Sequence, residues 1–158
     1  KGAFLALEAC NMLREKQHDI CWHWVGDGNQ KTEIQEKICQ LGLAECFCLE
    51  GNQSNPYPYI LNADIYVQPS FYEAYSTTVT EAKVLYRPIV ATDVGGMRDQ
   101  LVDGKTALIV PVDASAIAEA IAHMLDEDGI MLAYSDALKQ KHCQCADALE
   151  EYERSVFA

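Results

Sequence analysis

The chain has 158 residues, 49% hydrophobic and 23% charged, with a formal net charge of −12. That size and balance fit one globular domain with a sizeable core, and no apolar run reaches the ~20 residues a helix needs to cross a bilayer. The negative charge excludes broad binding to nucleic acid or anionic lipid, which select basic surfaces, so an anionic small ligand would need local donors.

Residues 3 to 16 place Phe4, Leu5, Leu7, Met12 and Leu13 in an apolar helical pattern, and Ile20 to Val25 reads as a strand closed by Gly26-Asp27-Gly28. Gln30 to Leu41 reads as a helix stopped by Gly42, a residue free to adopt the left-handed conformation. Cys46 to Leu49 is a short strand ended by Gly51, and the Asn/Pro-rich loop after it leads into a short helix through Asn62. Ile65 to Val67 is a strand, Thr77 to Leu85 a helix, Ile89 to Thr92 a strand and Leu108 to Val110 the last clear strand. Ala114 to Leu125 is a helix with Ile117, Ile121, Met124 and Leu125 on one face and Asp113 as N-cap. Beyond it, Leu132, Tyr134, Leu138, Leu149, Tyr152 and Phe157 suggest one or two amphipathic helices over 129–158. Strands alternating with helices require parallel crossovers, which predicts an α/β fold: a Rossmann-like parallel sheet with helices on both faces.

Seven cysteines are an odd number, and none forms a paired C-x-x-C cluster, so the spacing predicts no metal site. Cys46 and Cys48 lie on one strand, where one is expected to face the core as a small hydrophobe. Cys143-Gln144-Cys145 is read as incidental thiols. No signal-peptide pattern is present, so a reducing cytoplasm is the expected compartment.

A parallel sheet binds ligands beyond the carboxyl ends of its strands. Gly26-Asp27-Gly28, the segment around Glu73 and Gly95-Gly96 all follow strands and should share that edge. Glu73 precedes a helix and Glu81 lies on it. If the helix begins near Ser76, its unpaired amides point between the two acids and attract a phosphate.

Glu73-x7-Glu81, Pro88-Ile89-Val90-Ala91-Thr92-Asp93-Val94-Gly95-Gly96, Val102-Asp103-Gly104-Lys105-Thr106 and Val110-Pro111-Val112-Asp113, taken in order, resemble the carboxyl-terminal donor-binding domain of retaining GT-B glycosyltransferases of family 4, the glycosyl transferases group 1. The resemblance implies a donor-binding domain over 1–128 that lacks its first strand, with an amino-terminal acceptor domain outside this sequence. It implies transfer of a hexosyl-type sugar from a nucleoside-diphosphate sugar to an acceptor hydroxyl with retention, without a metal or other cofactor. The isolated chain is expected to be inactive. Any contact with the inner face of a membrane would belong to the missing domain.

By the same resemblance, Glu81 holds the ribose hydroxyls and Glu73 faces the donor sugar as nucleophile or, preferably, electrostatic stabiliser. Tyr75, Ser76 and Thr77 meet the diphosphate and sugar through their backbone, and Lys1 neutralises the leaving diphosphate. Ala74 and Ser76 stand where the family has glycines, which makes positive φ angles costlier. Tyr86 also replaces a glycine, as does Ala107. Three alternatives stay open: a GT-B nucleotide-sugar epimerase, a non-catalytic nucleotide-binding domain, and a dinucleotide-binding oxidoreductase, although Lys31 occupies the third glycine position of that fingerprint.

Overall fold

A computed structural model describes residues 1–141. The elements follow in alternation: α1 (Ala3–Glu15), β1 (Trp22–Val25), α2 (Lys31–Leu41), β2 (Phe47–Gly51), α3 (Tyr57–Asn62), β3 (Tyr66–Gln68), α4 (Thr77–Val84), β4 (Ile89–Thr92), α5 (Met97–Gln100), β5 (Ala107–Val110) and α6 (Ala114–Asp126). Among the described residues a further helix, α7, covers 130–141 and buries Tyr134 and Leu138. The rest of the expected tail, with Leu149, Tyr152, Phe157 and the Cys143-Gln144-Cys145 motif, lies outside the described residues.

All the strand pairs are parallel, but they form two ladders, β1-β2 and β3-β4-β5. Hydrophobic packing joins the two ladders. One core draws Leu13 of α1 and Ile117, Ile121 and Met124 of α6 together with Trp22, Val67 and Val90. Each such apolar side chain contributes about 1.5–3 kcal/mol when fully buried.

β4 is buried along its whole length because helices cover both of its faces. Val90 points into the α1–α6 core, while Ile89 and Ala91 join Val79, Ala82, Met97 and Leu101 of the α4–α5 side. A third core sets Ala6, Leu7 and Cys10 of α1 and Ile34 and Ile38 of α2 against Phe47. Trp22 stacks on Phe47, with ring centroids 5.9 Å apart.

Several local expectations are met in atomic detail. Gly42 ends α2 in the left-handed conformation, and the Asp113 carboxylate caps α6 by accepting from the Ala116 amide. Tyr86 adopts φ 56°, which explains why a glycine suits that position. Ser76 has φ −94°, and Ala74 is not among the residues of positive φ, so replacing glycine at these two places incurs no strain. One expectation is corrected: Leu125 is exposed, because it flanks rather than extends the Ile117–Ile121–Met124 stripe.

Candidate active site

The site is assembled by close backbone approaches that only glycine permits. Gly2 has φ 77°, and a Cβ there would lie 1.6 Å from the Pro69 carbonyl oxygen. A Cβ on Gly95 would lie 1.8 Å from the Glu73 carbonyl oxygen, and one on Gly96 2.0 Å from that of Ala74. The Gly96 amide donates to the Glu73 carbonyl at 3.1 Å. Three chain segments distant in sequence, 1–2, 69–74 and 95–96, are thus pressed together, and their side chains converge.

Lys1 and Glu73 meet at this convergence, with Nζ 2.8 Å from Oε1. The Ser70 hydroxyl and the Gln68 amide each donate to the same oxygen at 3.1 Å. The Glu73 side chain is only 12% exposed, whereas Lys1 is 71% exposed and open to a ligand. Burial pushes the Glu73 pKa up, but the hydrogen bond and charge of Lys1, helped by Ser70 and Gln68, outweigh it and hold the carboxyl below its ordinary value. The acid remains ionised in a half-dry setting.

Beneath Glu73 lies a buried polar network. Gln68 is fixed from three directions, donating to Ser70 at 2.9 Å and accepting from the Tyr66 hydroxyl at 2.7 Å and from Thr78 at 3.3 Å. The Thr92 hydroxyl donates to the Ser70 carbonyl at 2.6 Å, which ties this loop to β4. Burial first, then the charges of Glu81 and Glu73, push the Tyr66 phenol up to about 12, against a hydrogen bond from Thr78. Both acids therefore act on one half-buried tyrosine.

Ser76 is the N-cap of α4, and its Oγ accepts from the Val79 amide at 3.3 Å. The helix thus starts where the sequence places it, with Glu73 before it and the half-buried Glu81 on it. Tyr75 is 63% exposed and Thr77 is exposed too. Ser76 departs from the expected role: its amide donates to Gln100 Oε1 at 2.8 Å, while Gln100 Nε2 returns a bond to the Ser76 carbonyl at 2.9 Å. That amide is committed to holding the cap, which leaves Tyr75 and Thr77 as the outward members of the segment. Sequence reasoning missed Gln100 and Gln68, since neither belongs to a motif.

The sequence singled out no cofactor or metal ligands. Among the described residues, the side chains that could share one ion are Cys21, just before β1, His23 on β1 and Cys48 on β2. No helix of the described residues is long and apolar enough to cross a membrane.

The decisive comparison is with the family model of glycosyl transferases group 1, which matches residues 1–141. The chain belongs to that family. It is 28% identical over 130 residues to alpha-D-kanosaminyltransferase of Streptomyces kanamyceticus, covering 80% of this chain and 34% of that one. A glycosyltransferase from Rickettsia africae superposes with a TM-score of 0.82 at 22% identity, over 98% of this chain and 44% of that one. A TarM variant from S. aureus, solved in a complex that includes UDP, superposes with a TM-score of 0.81 at 22% identity, over 95% and 31%. These neighbours establish the GT-B fold of the chain. The chain spans about a third of the length of the first of the curated relatives it matches.

Proposed function

We propose that the chain is the donor-binding domain of a retaining glycosyltransferase that moves a hexosyl group from a nucleoside-diphosphate sugar to an acceptor hydroxyl, with the acceptor bound by a separate amino-terminal domain. The observation that carries the reading is the Glu73 carboxylate, ionised and gripped by Lys1, Ser70 and Gln68 at the mouth of α4. The presence of UDP in the TarM complex supports a nucleotide ligand for this fold.

Breaking the bond from sugar to diphosphate leaves negative charge on the β-phosphate and positive charge at the anomeric carbon. Groups already fixed where those charges develop lower the barrier without reorganising. The Lys1 ammonium and the amino end of α4 answer the phosphate, so no metal is needed in this reading. Tyr75 and Thr77 border the same space. Glu73 answers the anomeric centre as an electrostatic stabiliser. Glu81, five residues beyond the cap, accepts from both ribose hydroxyls, as an ionised carboxylate can.

The test is kinetic and stereochemical. In the intact enzyme, Glu73→Gln should lower kcat about 10²–10³-fold with little change in donor affinity. The anomeric configuration of the product, followed by NMR, should match that of the donor. An inverted product, or a Glu73→Gln defect confined to donor affinity, would overturn the reading.

A further inference from the structure

On the face of the β1-β2 ladder away from the third core, the structure gathers a second set of functional groups. Trp22, Trp24, Phe47 and Leu49 turn inward, so the strand alternation turns Cys21, His23, Cys48 and Glu50 outward together. The parallel register pairs His23 with Cys48. Cys21 Sγ lies 3.4 Å from His23 Nε2 and 4.0 Å from Cys48 Sγ. The three donor atoms all fall within 4.8 Å of one another.

From these distances we propose that Cys21, His23 and Cys48 form a binding site for a zinc-class divalent cation, independent of the donor site around Glu73. A tetrahedral ion with metal–sulfur bonds of ~2.3 Å and metal–nitrogen bonds of ~2.0 Å holds its sulfurs about 3.8 Å apart and its sulfur and nitrogen about 3.5 Å apart. The separations of Cys21 Sγ from His23 Nε2 and from Cys48 Sγ lie within about 0.2 Å of those values. Two thiols and an imidazole favour zinc-like ions over magnesium or calcium, which prefer oxygen.

The orientation of the histidine is the second observation. His23 Nδ1 donates to Glu50 Oε1 at 2.6 Å, and the other carboxylate oxygen of Glu50 accepts from the Tyr59 hydroxyl at 3.1 Å. In the neutral ring this contact places the free lone pair on Nε2, which faces Cys21 Sγ at 3.4 Å, the carboxylate–histidine–metal arrangement. Binding would replace the two thiol protons, released to solvent, with two metal–thiolate bonds. Cys21 and His23 are exposed, so the fourth position is open to water. The bound ion would clamp β1 to β2.

The experiment titrates Co(II), then Zn(II), into the reduced 158-residue chain and reads the cobalt–thiolate absorption band together with calorimetric stoichiometry. One equivalent should bind, with zinc displacing cobalt. The band should disappear in Cys21→Ser and in Cys48→Ser, but persist in Cys39→Ser and in the double variant Cys143→Ser/Cys145→Ser. Glu50→Gln should keep the band while weakening affinity about ten- to a hundredfold. No stoichiometric band, a band that survives Cys48→Ser, or one lost with Cys143 and Cys145 would overturn the assignment.

Discussion

Lys1 and Glu73 stand 72 positions apart in sequence and 2.8 Å apart in space. Their contact depends on Gly2, whose missing side chain lets the start of α1 lie against Pro69. It gives the candidate site both a charge of each sign and a defined separation between them.

The first prediction concerns the titration of Glu73. Its carboxyl is held below the ordinary value in the folded chain. A group with a depressed folded pKa contributes stability that is complete above its unfolded pKa and is lost as pH falls through the folded one. Lys1→Met removes the main stabilising partner, so the Glu73 titration should move upward toward its unfolded value and the acid loss of stability that Glu73 contributes should shrink. Carboxyl-detected NMR on the chain and its variant checks this. An unchanged Glu73 titration would show that Lys1 does not set it.

The second concerns Gly95 and Gly96. An alanine at either place drives its Cβ into main-chain carbonyl oxygens, which cannot swing aside as a flexible side chain can. Gly95→Ala and Gly96→Ala should each destabilise the chain by about 1–3 kcal/mol. Gly95→Ala should be the worse, because φ is also positive there, at 41°. Urea unfolding measures both.

The third isolates the α4 cap. Gln100 is 3% exposed and bonds both the amide and the carbonyl of Ser76. Gln100→Leu strands a buried amide and should cost about 1–3 kcal/mol. Ser76→Ala removes only the capping hydroxyl and should cost about 1 kcal/mol. Amide exchange at Ser76 should accelerate far more in the first variant than in the second.

Local signals were legible in the sequence and long-range ones were not. Ser76 and Asp113 announce their helices because a cap is a neighbour effect, and Gly95-Gly96 marks a close approach without saying to what. Gln100 sits 24 residues from the peptide it clamps, and nothing in its surroundings marks it. The cluster of Cys21, His23 and Cys48 escaped spacing rules for a similar reason. Cys21 and Cys48 are 27 residues apart, and only the parallel register of β1 on β2 unites them. Cys46 and Cys48 do not share a strand: Cys46 lies in the turn before β2 and packs at the margin of the core, while Cys48 on β2 turns outward. The division into two ladders was also hidden, since alternation of strands and helices specifies parallel pairing but not an unbroken sheet.

The most direct measurement is calorimetric binding of UDP, GDP and ADP to the chain and to its Glu81→Ala and Glu73→Gln variants. At least one nucleotide should bind, its affinity should fall about tenfold or more in Glu81→Ala through loss of the proposed charged hydrogen bonds, and it should change little in Glu73→Gln, whose proposed role is toward the sugar. Failure of all three nucleotides to bind, or equal binding by the Glu81→Ala variant, would contradict the assignment of the two acids to opposite ends of a donor.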